Sequence, residues 1–185
     1  NGLSAAGVGL HALWGRRVPA GVTIVQHDDG RVAAAQRISD QVNRGEPVLA
    51  LDLLFTGDAA IDGRGPERTI QAFAGLGDRP LGLRAAQLLA VARWVQSTSG
   101  AEHVRLDATG LRSQVAALVA AALEPEAFSE IAIQDGIPSL QHVLDAPVMH
   151  PDAPELFCLD LYRQLDLDRL EVMAAIPVRT TPWAR

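Results

Sequence analysis

Between Arg105 and Leu123 the chain reads RLDATGLRSQVAALVAAAL: a short apolar strand, a tight turn at Gly110, and a helix that is apolar nearly all round. Ser113 stands just past the turn. A hydroxyl carried on a sharp strand-to-helix turn is exposed, and the neighbouring amides can face the oxyanion that forms when it attacks an ester carbonyl. The same serine also fits a plainer role, a helix cap or first-turn residue whose oxygen accepts from a free backbone amide. An attacking hydroxyl needs a base and a carboxylate to orient that base. His142 and His150 follow Ser113 in the irregular segment after IQDG, and Asp135 ends the strand-like SEIAIQDG. His103 and His11 lie before the turn and read as surface or structural groups.

The rest of the composition narrows the chemistry. All 16 basic residues are arginines, so a Walker-type phosphate lysine, a pyridoxal Schiff base and an amine nucleophile are excluded. The net charge is -6, with no basic block to draw the chain to nucleic acid or anionic lipid. Cys158 is the one cysteine and has no partner at metal-ligand spacing; in LFCLDLY it reads as a small, buried apolar residue. The cluster HPDAPE, His150 to Glu155, is broken by prolines and reads as a rigid loop, so neither metal nor cofactor is expected. The longest apolar run, Val115 to Leu123, is too short to span a bilayer. The chain opens at Asn1 without a charged-then-apolar leader, and its compartment stays open.

Five stretches have strand character: Val22 to His27, Pro47 to Leu54, His103 to Ala108, Ser129 to Gly136, and more weakly Ile176 to Trp183. Helical patterns lie between them. Val32, Ala35, Ile38 and Val42 recur at helical spacing, as do Leu83, Leu88, Val91 and Val95. Strands that are nearly continuous in apolar residues and alternate with helices predict an α/β domain, a mostly parallel sheet with helices on both faces. Residues 1–21 are read as an N-terminal segment and 22–185 as the domain. Two long irregular stretches, Phe55 to Arg79 and Ile137 to Glu155, are expected as loops at the carboxyl ends of strands, where such folds place their sites.

The order strand, QHDDGR, helix, strand, long loop, RPLGLRAAQLLAVARWVQS, strand, TGLRSQ, helix, strand resembles the middle of an α/β-hydrolase. DRPLGLRAAQLLAVARWV, Asp78 to Val95, is similar to the helix before the elbow strand in the acetyl xylan esterase-like branch. LDLYRQLDLDRLEVMAAIPVRT, Leu159 to Thr180, is similar to that branch's approach to its next strand. The resemblance covers roughly residues 20 to 182 as a diffuse pattern. It implies an incomplete α/β-hydrolase fold, with about five strands in this chain and the last strand missing.

The resemblance implies a Gly-x-Ser-x-Gly elbow, and this chain departs from it. Counting from Gly110 puts Arg112 in the nucleophile position and Gln114 where a glycine belongs; shifting by one makes Ser113 the nucleophile and matches Ser-Gln, but puts Leu111 in place of the leading glycine. The family's oxyanion amides would come from Asp28, in HDDG, and Gln114, although two carboxylates there add unfavourable potential and a plain Asx-type turn explains DDG equally well. The acid expected after PVRTTPW and the histidine after a later strand are not in the sequence, which has no Asp, Glu or His beyond Glu171. A triad of Ser113, Asp135 and His150 is the sharpest catalytic arrangement left. Three readings stay open: a catalytically silent hydrolase-like domain of a larger protein, an active serine esterase on acyl or acetylated carbohydrate esters using Ser113, and a different doubly wound binding module. The unpaired sheet edge implies another domain or chain packed against it; a bacterial secreted or periplasmic location is what the resemblance implies.

Overall fold

Val22, Ile24 and Val25 on one strand and Val48 to Leu51 on another are apolar on both faces, as strands inside a doubly covered parallel sheet must be. The computed structural model describes residues 4–11, 20–60, 66–146, 148–150 and 153–182. Its strands are β1 (Ala6–Leu10), β2 (Gly21–His27), β3 (Val48–Asp52), β4 (His103–Thr109), β5 (Glu130–Gly136) and β6 (Val178–Pro182). The helices are α1 (Ala35–Asn43), α2 (Pro66–Gly75), α3 (Pro80–Ser99), α4 (Leu111–Leu123), α5 (His142–Asp145), α6 (Leu159–Gln164) and α7 (Leu167–Ala174). The strands form one sheet in the order β1-β3-β2-β4-β5-β6. Only β1 runs antiparallel to its neighbour; β3, β2, β4, β5 and β6 are parallel.

All five expected strands are present, with ends displaced by a few residues. Pro47 stays outside β3 because it has no N–H to donate, but its carbonyl still accepts from Thr23 at 3.0 Å. The strand that the sequence reading lacked, β1, lies within residues 1–21. Two of its five residues are glycine, so its strand propensity is poor, and its pairing with β3 supplies what local preference does not.

Helices cover both faces. Ile24, Leu49, Leu51, Leu106, Ile131 and Ile133 pack with α3, α4 and α7, whereas Val25, Val48 and Ala50 pack with Ala34 and Ile38 of the α1 segment. Each fully buried aliphatic side chain contributes about 1.5–3 kcal/mol. On α3, Leu88 and Val95 are buried as expected. On α1 the expected face is corrected: Val32 is 79% exposed and Ala35 is exposed, because the helix starts only at Ala35 and turns Ala34, Ile38 and Gln41 to the sheet. The stretch Phe55 to Arg79, expected as a loop, includes α2.

Candidate functional site

The elbow is built by three residues. Strand β4 ends at Thr109, α4 begins at Leu111, and the reversal falls on Gly110, at φ 96 and ψ 168. A side chain is strained there, so glycine is the residue that the turn accepts. The Gly110 N–H donates to Gln134 of β5 at 2.9 Å, and its carbonyl accepts the N–H of Gln114 at 2.9 Å as the first helical bond. The register led by Gly110 puts the nucleophile at Arg112 and the shifted one, led by Leu111, puts it at Ser113; in the structure Gly110 is the turn residue itself, the place where this architecture presents a nucleophile.

The space over Gly110 is filled. The carboxylate of Asp28, just past the end of β2, accepts from the backbone N–H of Arg112 at 3.0 Å and of Ser113 at 2.7 Å. It thereby caps the start of α4 from a distant strand, satisfying donors that a helix end leaves open and placing negative charge at the positive end of the helix. A Cβ on Gly110 would collide with this carboxylate. The Asp28 N–H is itself donated to the carbonyl of Thr109 at 3.1 Å. The two amides expected to stabilise an oxyanion, those of Asp28 and Gln114, are therefore both engaged by backbone carbonyls.

Ser113 sits one turn into α4, fully buried; its backbone carbonyl accepts from the Gln26 amide at 3.1 Å, and its hydroxyl has no partner. The Gln114 side chain, also buried, latches the loop after β5, donating to the Ile137 carbonyl at 3.0 Å and accepting its N–H at 2.9 Å. Asp135 is exposed at the carboxyl end of β5, with φ 52. His150 is half-buried with its ring edge-on to Phe157, centroids 5.2 Å apart. Among the described residues no hydrogen bond joins Ser113, Asp135 and His150. His142 opens α5.

Behind the elbow lies a buried charge cluster that sequence reasoning missed. Arg112 donates through Nε to Glu155 at 2.6 Å, and Arg84 of α3, fully buried, donates to the same carboxylate oxygen. Burial works against the Glu155 carboxylate, but Arg84 and Arg112 hold its pKa below the usual range. Burial also pulls the Arg84 pKa down, against the attraction of Glu155. In the sequence Arg84, like Gln87, interrupts a mostly apolar helix face, and that interruption is the signal that could have found it. Glu155 closes a proline-broken loop with nothing to mark it as buried. Tyr162 lies nearby, its phenol pKa pushed up to about 12 chiefly by burial.

A second carboxylate, Asp52 at the end of β3, works similarly. It accepts from the N–H of Arg31 at 2.6 Å and of Asp58 at 3.0 Å and pairs with the Arg31 guanidinium, which also reaches Asp58. Gly57, at φ 47, lies directly against the Asp52 carboxylate. No group of three or more metal-ligating side chains is gathered among the described residues, and no helix there is long and apolar enough to cross a membrane.

No protein-family profile and no curated protein matches the chain. Solved structures do. An assigned acetyl xylan esterase from Bacteroides fragilis superposes with a TM-score of 0.77 at 13% identity, covering 95% of this chain and 55% of that one. An acetyl xylan esterase from Paenibacillus gives 0.58 at 11% identity, covering 92% of this chain and 56% of that one. Dienelactone hydrolase from Anabaena variabilis gives 0.53 at 18% identity, covering 99% and 82%. At these identities the likeness is one of fold, and the chain spans little more than half the length of the two esterases.

Proposed function

Because the chain carries an incomplete α/β-hydrolase fold whose structural neighbours include esterases, we propose that it is a catalytically silent relative of the carboxyl and acetyl xylan esterases, a domain of a larger assembly that packs against another domain or chain at an open sheet edge. One observation carries the reading: the turn residue of the elbow is Gly110, and the Asp28 carboxylate lies over it, bonded to the amides of Arg112 and Ser113.

The chemistry follows from that placement. Acyl transfer needs an oxygen at the apex to attack the ester carbonyl, a base to take its proton, and amides to receive the carbonyl's negative charge. Glycine brings no side-chain oxygen. An oxyanion formed there would face Asp28, and two like charges about 4 Å apart near a protein surface repel by roughly 4 kcal/mol. Ser113, the hydroxyl that the shifted register offers as nucleophile, is sealed from solvent.

The test is hydrolysis of p-nitrophenyl acetate and of acetylated xylan by the purified protein beside Ser113→Ala and Arg112→Ala. The expected result is a rate equal to buffer in all three. Turnover that disappears with Ser113→Ala alone would establish the active-esterase reading instead.

A further inference from the structure

Two helices sit on apolar clusters that are separate from the main core, and they are held there differently. The α1 segment packs Ala34, Ile38 and Val42 against Val25, Val48 and Ala50, and polar bonds add to this: Arg37 and Gln41 donate to the buried Asp107 carboxylate at 2.6 and 2.7 Å. Helix α2 rests on Leu54 and Phe55, just past the end of β3, and on Leu83 of α3. Among the described residues no hydrogen bond or ion pair joins it to the sheet or to α3. Of its described side chains only Ile70 is buried; Thr69 and Phe73 are half-buried, and Arg68, Gln71 and Ala72 are exposed. A helix of 10 residues is marginal on its own, so Ile70 and Phe73 are what keep α2 in place.

Helix α2 is also complete in itself. Gly77, at φ 87, ends it in the left-handed conformation, and the Asp78 N–H donates back to the Phe73 carbonyl at 2.9 Å. The chain is fixed on either side: Asp52 holds the Asp58 N–H at 3.0 Å, and Pro80 and Leu81 are buried at the start of α3. Beneath α2 the floor is strained. Phe55 is held at φ 68, where a bulky side chain is disfavoured, with its ring edge-on to Phe73 and the centroids 6.3 Å apart. Strain of this kind persists where the surroundings over-determine it, and it clusters at clamps and switch regions.

We propose that α2 is a flap: residues 66–78 undock from Leu54, Phe55 and Leu83 as one unit while α3, α4 and the sheet stay folded. A segment opens separately when it shares few buried apolar groups with the rest and no hydrogen-bond network ties it down, and α2 meets both conditions. Phe55 and Phe73 form the latch. Opening uncovers an apolar floor at the carboxyl end of β3, the rim on which α/β folds carry their working segments. The inference is independent of the silent elbow, because no residue of the elbow takes part in it.

Native-state hydrogen exchange at neutral pH tests this, read at the backbone N–H groups from Ile70 to Leu76 and, in the same sample, at those of α1 and α4. The α2 groups are expected to be protected, yet to exchange at least about a hundredfold faster than those of α4. Low concentrations of urea should leave the α2 rates nearly flat and speed α4, because the flap exposes little surface and global unfolding exposes much. Phe73→Ala breaks the latch and should speed α2 at least about tenfold. Ile131→Val, in the main core, should speed α4 by about two- to tenfold and leave α2 unchanged, because the core stays intact when the flap opens. Arg37→Ala should likewise speed α1 without moving α2. An α2 that follows α4 in urea and in Ile131→Val would overturn the proposal, since the helix would then open only with the whole fold. So would an α2 without protection, or one indifferent to Phe73→Ala.

Discussion

Asp28 over Gly110 and Asp52 over Gly57 are the same device at two places. In each, a carboxylate at the carboxyl end of a parallel strand accepts two backbone N–H groups and lies against a glycine of positive φ. They differ in how charge is balanced. Asp52 is 1% exposed and pairs directly with Arg31, whereas Asp28 caps a helix and the nearby arginines, Arg84 and Arg112, are held by Glu155. The loop at Asp52 carries none of the candidate site residues read from the sequence, yet the elbow is closed in the same way. The comparison teaches that the elbow's geometry here is accounted for by clamping backbone, without reference to a reaction.

The largest expected effect breaks the charge balance on the elbow side. Glu155→Ala leaves Arg84 buried without its partner, and removing one member of a buried ion pair costs about 3–5 kcal/mol, read by urea unfolding; Arg31→Ala, at the rim of the other clamp, should cost less. Since the Glu155 pKa is held low in the folded state, the native protein binds fewer protons than the unfolded chain in the acid range, and stability rises with pH there. That contribution is lost as pH falls through the folded value, below the usual glutamate range, and Glu155→Gln should flatten this acid limb.

Next in size is Gly110→Ala. A side chain at φ 96 and ψ 168 is strained by about 1–3 kcal/mol, and its methyl meets Asp28. If the carboxylate is the obstacle, the substitution should be less costly in an Asp28→Ala background than in the wild type, a coupling that a double-mutant cycle measures. Additive costs would show that Gly110 and Asp28 are independent and would separate the elbow from the Asp52 clamp.

The smallest effect is Asp28→Ala alone, a lost helix cap worth about 0.5–2 kcal/mol. Thermal unfolding should rank it below Asp52→Ala, which also leaves Arg31 without its buried partner. The reverse order would mean that the elbow clamp is the stronger of the two.

What the sequence disclosed follows from what local pattern can carry. Strands such as the one at Val48 to Leu51 announce themselves because burial on both faces demands a nearly continuous apolar run, and α4 because it is wedged between sheet and helices. Strand β1 does not, since glycines give no propensity and its place depends on β3, far along the chain. On α1, spacing found a helix but chose the wrong start, so Val32 was assigned to a face it does not share. Ser113, Asp28 and Gln114 were visible as candidates because their types and neighbours suggest chemistry. Their partners, Gln26, the amides of α4 and Ile137, come from other elements and leave no trace in spacing. The position of Gly110 at the apex is a matter of backbone angle, and neither the register led by Gly110 nor the one led by Leu111 can display that.

The strand order has a kinetic consequence. The central pair, β2 with β4, joins Gly21 to His103, and β3 must leave β2 and find its place on the other side before β1 can add at the edge. Three of the five strand pairs, β2 with β3, β4 with β5 and β5 with β6, join consecutive strands, but each is parallel and closes only through a crossover, so loop closure must precede most of the favourable burial and folding should be slow for a chain of this length. During that interval β2 and β3 display apolar faces and unpaired edges, and partial folds of this kind associate readily. Synthesis of residues up to Thr109 is thus the earliest point at which the middle of the sheet can close.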